Sequence, residues 1–396
     1  MYTFTALCLA LPALCAGAPV PGAWVHPGVF VSLPQLTWVG TQVRAGVEPF
    51  KAAFAKALRS PIGSLAYSPQ GPPQDGIIDC GSYSRPNIGC SAEDSDASAA
   101  FLQLVLYSIS GEAPRAALAV RILNAYARTV RYNNSNAPLQ AGWGSSKWVR
   151  AAELASHLPG VGWPAAEREA FVAMLQRAAL PLIKEGSGSN GNWELAMIEG
   201  LIGLAVLLED APLFDSAARM WRERIPAYFY NFALDGAKPV PAPRGHPSWY
   251  DQTVFSNATS GVAQETCRDE GHTSYSVAST ANAAETARLQ GEDLWAGPGM
   301  ATRLATALEF NARLLLPGAK SPPDLCSGRA VDAHAELPTY EVAYSALALR
   351  RGISMPTTLE HILASVRTNE NPVDTHMMVF ETLTHGGLAP GERAKL

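Results

Sequence analysis

Charge is scarce in this chain. Asp, Glu, Lys and Arg make up 16% of its 396 residues against 47% hydrophobic ones, which excludes a disordered polyelectrolyte and leaves a core-forming globular protein. Basic charge is in no excess either. Thirty Lys and Arg face 35 Asp and Glu, for a formal net charge of -5, so no global field draws the protein to nucleic acid or to an anionic membrane. An anionic ligand has to be met by local cations. No segment beyond the first twenty residues offers the ~18 uninterrupted apolar residues of a membrane span, so the mature chain is expected to be soluble. Strand-type alternation is weak outside short stretches such as Trp24 to Val31, and no exact repeat argues for a consensus array.

What is present begins with Thr5 to Ala18, a short apolar run ending in small residues, which reads as a signal peptide over residues 1–18 cleaved near Ala16 to Ala18. A secreted, extracellular protein follows, with residues 19–396 as one domain. The leader removes Cys8 and Cys15 and leaves Cys80, Cys90, Cys267 and Cys326, an even number that suggests disulfides. Of the three pairings, Cys80 with Cys90 is the most local and closes a loop rich in Gly, Ser, Pro and Asn; Cys267 with Cys326 would remain. Two sequons, at Asn133 and Asn257, fit N-glycosylation on a secretory route. The cysteine spacing does not resemble a zinc site, and neither metal nor cofactor is expected.

From about Asp96 the chain reads as helices separated by Gly, Pro or Asn breaks. The expected segments are Ala97 to Ser110, Pro114 to Arg131, Lys147 to His157, Ala165 to Lys184, Trp193 to Leu208, Pro212 to Ile225, His272 to Gln290, Ala301 to Leu316 and Tyr340 to Arg351. In several of them apolar residues recur at three- and four-residue intervals. An all-α protein of antiparallel helix pairs, closed into an (α/α) toroid or barrel, follows; an irregular helical bundle is the alternative. One connection, from Tyr230 to about Ala263, is long and Pro-rich, and is expected to form part of a binding cleft.

Four clusters carry chemistry. In Cys267-Arg268-Asp269-Glu270-Gly271-His272-Thr273-Ser274-Tyr275, Arg268, His272 and Tyr275 are spaced i, i+4 and i+7, and on one helix would lie within roughly 60° of one another. Asn190-Gly191-Asn192-Trp193 sits where a Gly/Ser loop meets an apolar helix; Asn192 also suits a helix N-cap. His246 with Trp249 and Tyr250 suits sugar binding, as do Asn134, Trp143 and Lys147.

Together, NNSN (Asn133 to Asn136), GW…VRAAELA (from Gly142), NGNWELAMIEG (from Asn190), QETCRDEGHTSYSVASTANAAETARLQGEDLW (from Gln264) and PTYEVAY (from Pro338) resemble the alginate lyase superfamily of polysaccharide lyases. The similarity is to polysaccharide lyase family 38 and, more distantly, family 5, over about Ala97 to Tyr344. It implies an (α/α) toroid whose cleft cuts an acidic polysaccharide by β-elimination. Such a reaction removes the C5 proton of a 4-linked uronate, so the charge building on the adjacent carboxylate must be offset; Arg268 and Asn192 are assigned to that task. Tyr275 is assigned as the acid, and as the base for one epimer. His246 is the base that the resemblance implies, with His272 as its competitor. Trp143, Lys147, Asn190, Trp193, Trp249, Tyr250 and Asn134 would hold the sugar. The sequence departs from family 5 at Asn192-Trp193, where an Asn-His pair is expected.

The expected partner is thus an acidic polysaccharide such as alginate, polymannuronate or glucuronan, with no nucleic acid and no membrane, bound by a monomer. Two rivals remain: a glycoside hydrolase on the same toroid, using carboxylates from Asp251, Glu265, Asp269 and Glu270, and a non-catalytic secreted carbohydrate-binding protein.

Overall fold

The computed structural model describes residues 23–245, 248–333, 339–369, 376–377 and 380–392. Its frame is a closed ring of helices. α1 (Leu33–Arg44) and α2 (Phe50–Arg59) precede α3 (Cys90–Ser110) and α4 (Ala113–Tyr126). α5 (Ala137–His157) and α6 (Ala165–Met174) follow, the latter running through a π-turn into α7 (Leu180–Ile183). Then come α8 (Gly191–Leu207), α9 (Ala211–Tyr228), the single turn α10 (Phe232–Asp235), α11 (Glu270–Leu289) and α12 (Met300–Leu315). Three short helices close the chain: α13 (Glu341–Tyr344), α14 (Pro356–His361) and α15 (Glu381–His385).

α3, α5, α8 and α11 are buried on nearly every face, as inner-ring helices must be, while α4 packs outside α3, and α9 outside α8. Contacts run from α3 to α5, α5 to α8, α8 to α11, α11 to α13 and α13 to α15, and α15 returns to α1 and α2. The (α/α) toroid expected from the helical periodicity is therefore the fold. Close packing depends on small residues: a Cβ on Gly200 of α8 would lie 2.9 Å from Ser145 Cβ on α5. Gly111, in the left-handed region at φ 73°, ends α3 and turns the chain into α4.

Several boundaries differ from the sequence expectation. α5 begins at Ala137, ten residues before Lys147, because Gly142 and Gly144 look like loop residues but serve tight packing; added Cβ atoms would meet Ala196 and Glu93. The helix expected from Pro114 to Arg131 stops at Tyr126, and Arg131–Asn133 becomes β3, parallel to β1 (Ile77–Cys80), which also pairs antiparallel with β2 (Asn87–Ile88). Trp24 to Val31 is no strand. Its N–H groups at Val25, Gly28 and Phe30 donate to Gln290, Glu153 and Thr286 side chains, which replace a neighbouring strand. α1 and α2, ahead of the expected helical region, add to the ring. Cys80 is bonded to Cys90, and Cys267 to Cys326.

Candidate active site

The inner helices α5, α8 and α11 all begin at one rim of the ring, and a cleft of about 640 Å³ opens there. Asn136 and Trp143 come from the start of α5, Asn190, Asn192 and Trp193 from the start of α8, and Arg268, His272 and Tyr275 from the approach to α11 and its first turns. Three helix N-termini therefore face the cleft with their positive dipole ends. The fourth wall is the disulfide-closed segment between β1 and α3, through Tyr83 and its neighbours.

The start of α8 is fixed by a missing side chain. A Cβ on Gly191 would lie 2.1 Å from the Tyr228 ring, so only glycine lets this turn sit against α9. Asn192 is then buried, with its side-chain nitrogen donating to both oxygens of Glu265 at 2.7 Å. Glu265 is itself fully buried and also accepts from Tyr228 at 3.1 Å and from Arg268 at 3.0 Å. One carboxylate thus orients both groups assigned to charge neutralisation. Burial would lower the Arg268 pKa, but the Glu265 charge and hydrogen bond, with Tyr250 and Tyr83, together hold the guanidinium above its usual range. Arg268 enters the cleft as a permanent cation.

α11 begins at Glu270, so Arg268 lies before the helix and not on a helical stripe with His272 and Tyr275. The three still converge on the cleft. Asp269 is the N-cap: its carboxylate accepts from the His272 backbone N–H at 2.8 Å and meets His272 Nδ1 at 2.7 Å. Burial would raise the Asp269 pKa, yet the His272 contacts and the Arg268 charge hold it below the usual carboxylate range.

His376, which no sequence motif marks, completes the cleft. Its ring stacks on Trp143 with centroids 4.1 Å apart and lies 6.0 Å from the Tyr275 ring. Its Nδ1 is 3.0 Å from Asp94 on α3. Asp94 is fully buried and accepts from Lys147 at 2.6 Å on its other oxygen. Burial would raise the Asp94 pKa, but Lys147 and His376 hold it below the usual range. Beside it Glu93, also fully buried, is pushed up to about 7 by desolvation, against hydrogen bonds from Tyr132 and Trp148.

Other expected site residues fall elsewhere. Lys147 is 1% exposed and does not reach the cleft, because its ammonium balances Asp94 inside the ring. Asn134 is exposed and bonds its own neighbour, the Ser135 N–H, while Asn136 takes the place at the cleft wall. Trp249 packs against Phe255 with the aromatic cluster around Tyr230, away from the lining. Tyr250 stands behind Arg268, whose guanidinium donates to its hydroxyl at 3.4 Å. The described residues of the Pro-rich loop thus back the cleft instead of lining it, and Arg244 fastens the loop to buried Glu194 on α8. His246 lies outside the described residues. Asn133 and Asn257 are exposed.

Among the described residues one trio, His26, Glu153 and His157, has metal-ligand chemistry. The two imidazoles stack nearly parallel, 4.6 Å apart at 13°, so their lone pairs do not converge, and Glu153 also accepts the Gly28 N–H. This is a clamp on the chain's entry into the ring.

The chain matches no protein-family model and no curated protein. Its structure is similar to that of alginate lyase A1-III from Sphingomonas species A1, with a TM-score of 0.60 and 16% identity over 91% of this chain and 97% of that one. A histidine-to-alanine variant of alginate lyase A1-III in its apo form gives 0.64 at 16% identity over 95% and 100%. An alginate lyase from Bacteroides ovatus gives 0.52 at 12% identity over 91% and 99%. What these identities carry is the architecture alone: the chain shares the (α/α) toroid fold of these alginate lyases.

Proposed function

We propose that the protein is a lyase that cleaves a 4-linked polyuronate by β-elimination. The observation that carries this reading is the cleft's lining: Arg268, His272, Tyr275 and His376 gather there, and among the described residues no Asp or Glu lines it. A hydrolase needs two carboxylates flanking the bond. Here Glu265 is buried under Asn192 and Arg268, Glu270 is buried, Asp269 is held by His272, and Asp251 is exposed against Arg329. Elimination instead needs cations and donors around a carboxylate, a base and an acid, and the cleft supplies these types.

The uronate carboxylate would lie against Arg268 and the α8 and α11 N-termini. Donors preorganised in this way are worth about 2.7–4 kcal/mol each in the transition state. Tyr275 would give its phenolic proton to the glycosidic oxygen as the C4–O bond breaks. Trp143 and Trp193 offer faces for sugar rings at either side. Support also comes from the fold's neighbours: a variant of alginate lyase A1-III with a tyrosine changed to phenylalanine is complexed with tetrasaccharide. Alginate, polymannuronate and glucuronan are the substrates this reading names. The signal peptide expected over residues 1–18 and the two disulfides support export from the cell.

The test is to incubate purified protein with each polyuronate and follow the ultraviolet absorbance of a new C4=C5 double bond. Growth of that band on at least one substrate is expected; a flat trace on all of them would end the lyase reading. Trp143 and Trp193 would equally serve a non-catalytic sugar binder, which would bind polyuronate without shortening it.

A further inference from the structure

Among the described residues two imidazoles reach the cleft, and their surroundings differ. His272 is held by Asp269, a partly exposed carboxylate that also caps α11. His376 is held by Asp94, which has no exposure at all and lies on α3, 282 positions away in sequence. Behind Asp94 stand Lys147, at 2.6 Å, and Gln140, whose amide donates at 3.3 Å. A buried Lys–Asp pair is a poor stabilising device, since desolvating both charges offsets most of their attraction and apolar residues of similar size often serve as well. The pair does have a geometric effect. It fixes an ionised carboxylate behind the cleft lining, aimed at one ring nitrogen.

A carboxylate at 3.0 Å from Nδ1 selects the tautomer in which Nδ1 carries the proton and donates it to Asp94. Nε2 then bears the lone pair. Trp143, stacked on the ring at 4.1 Å and 20°, fixes the plane in which that lone pair points. Tyr275, the assigned acid, packs edge-on beside it with ring centroids 6.0 Å apart, so the two side chains reach the same cleft as neighbours.

We propose that His376 is the base of the elimination, and that Asp94 and Lys147 are its positioning pair. This rests on the lyase reading above. Nε2 takes the C5 proton; the C5–H electrons form the C4=C5 bond; the C4–O bond breaks, and its electrons stay on the leaving oxygen, which takes the Tyr275 proton. His376 leaves the step protonated and Tyr275 deprotonated, and one proton passing between them through solvent restores both. Asp94 stabilises the imidazolium formed in between. Arg268 carries the charge on the substrate carboxylate throughout.

The test uses the full chain. His376→Gln should lower kcat about 100-fold or more, the usual range for a removed base, with KM changed less than threefold. Added imidazole should restore part of the His376→Ala rate. Asp94→Asn should lower kcat about tenfold at unchanged KM; because it strands Lys147, the double variant Asp94→Asn/Lys147→Met is made beside it and should show the same kcat loss with wild-type thermal unfolding. Nitrogen-15 NMR of the histidines should show His376, assigned by its absence in His376→Gln, as the Nδ1–H tautomer in wild type and as a mixture in Asp94→Asn. Wild-type kcat in His376→Gln, or an Nε2–H tautomer in the wild type, overturns the assignment and leaves the lyase reading standing. A wild-type protein that gives no unsaturated product from any polyuronate overturns the lyase reading itself, and this base with it.

Discussion

The Asn192 side-chain nitrogen donates to both oxygens of Glu265 at 2.7 Å, and Arg268 donates to the same carboxylate at 3.0 Å. Two residues far apart in sequence are thereby aimed by one fully buried group. Glu265→Gln keeps the size and removes the charge. We expect kcat/KM to fall tenfold or more, mostly through KM, with secondary structure retained by circular dichroism. Activity equal to wild type would show that Glu265 quenches Arg268 instead of aiming it.

Tyr275→Phe removes one oxygen at a half-buried position and leaves the ring contacts with Trp143 and His376. The variant should unfold at the wild-type temperature and lose at least ~100-fold in kcat. Substantial turnover would remove Tyr275 from the chemistry.

Glu381 is fully buried, and desolvation pushes its pKa up to about 8 even though the Glu341 and Val342 N–H groups donate to it. Between about 4.5 and 8 the folded state holds a proton that the unfolded state has released. Wild-type stability therefore falls as pH rises through that window, by at most about 1.4 kcal/mol per pH unit from this group. Glu381→Gln keeps an acceptor for both N–H groups and has no proton to lose. Denaturation midpoints should match wild type at pH 4.5 and exceed it increasingly up to pH 8; a constant difference would refute the assignment.

The two disulfides close loops of different size, with sequence separations of 10 and 59. On the chain-entropy account their removal costs about 3 and about 4 kcal/mol. Cys267 also precedes Arg268, so Cys267→Ser/Cys326→Ser should lower activity as well as stability. The Cys80→Ser/Cys90→Ser pair should lose less stability. Equal activity in both double variants would show that the second bridge does not hold Arg268 in place.

The ring and part of the cleft are legible in the sequence because they rest on local patterns. Apolar periodicity marks α9 and α12, a continuous apolar run marks α8, and the run from Cys267 to Tyr275 places three cleft residues within eight positions. His376 is invisible at that level: its neighbours have no helical period, and its meaning comes from Asp94 on a distant helix. Lys147 misleads for the same reason. A lysine beside two tryptophans suggests a ligand for anions, and only folding shows that Asp94, 53 positions earlier, takes its charge. The net charge of -5 is likewise reconciled with a polyanionic substrate by placement, since Arg268, His272 and His376 all line one cleft that helix N-termini face.

The most direct test of the central claim is the mass of the products from a defined polyuronate oligosaccharide. Elimination predicts new non-reducing ends lighter by one water than their hydrolytic counterparts, each with a double bond. Fragments carrying the added water, with no unsaturation, would contradict the account and return the cleft to a hydrolase.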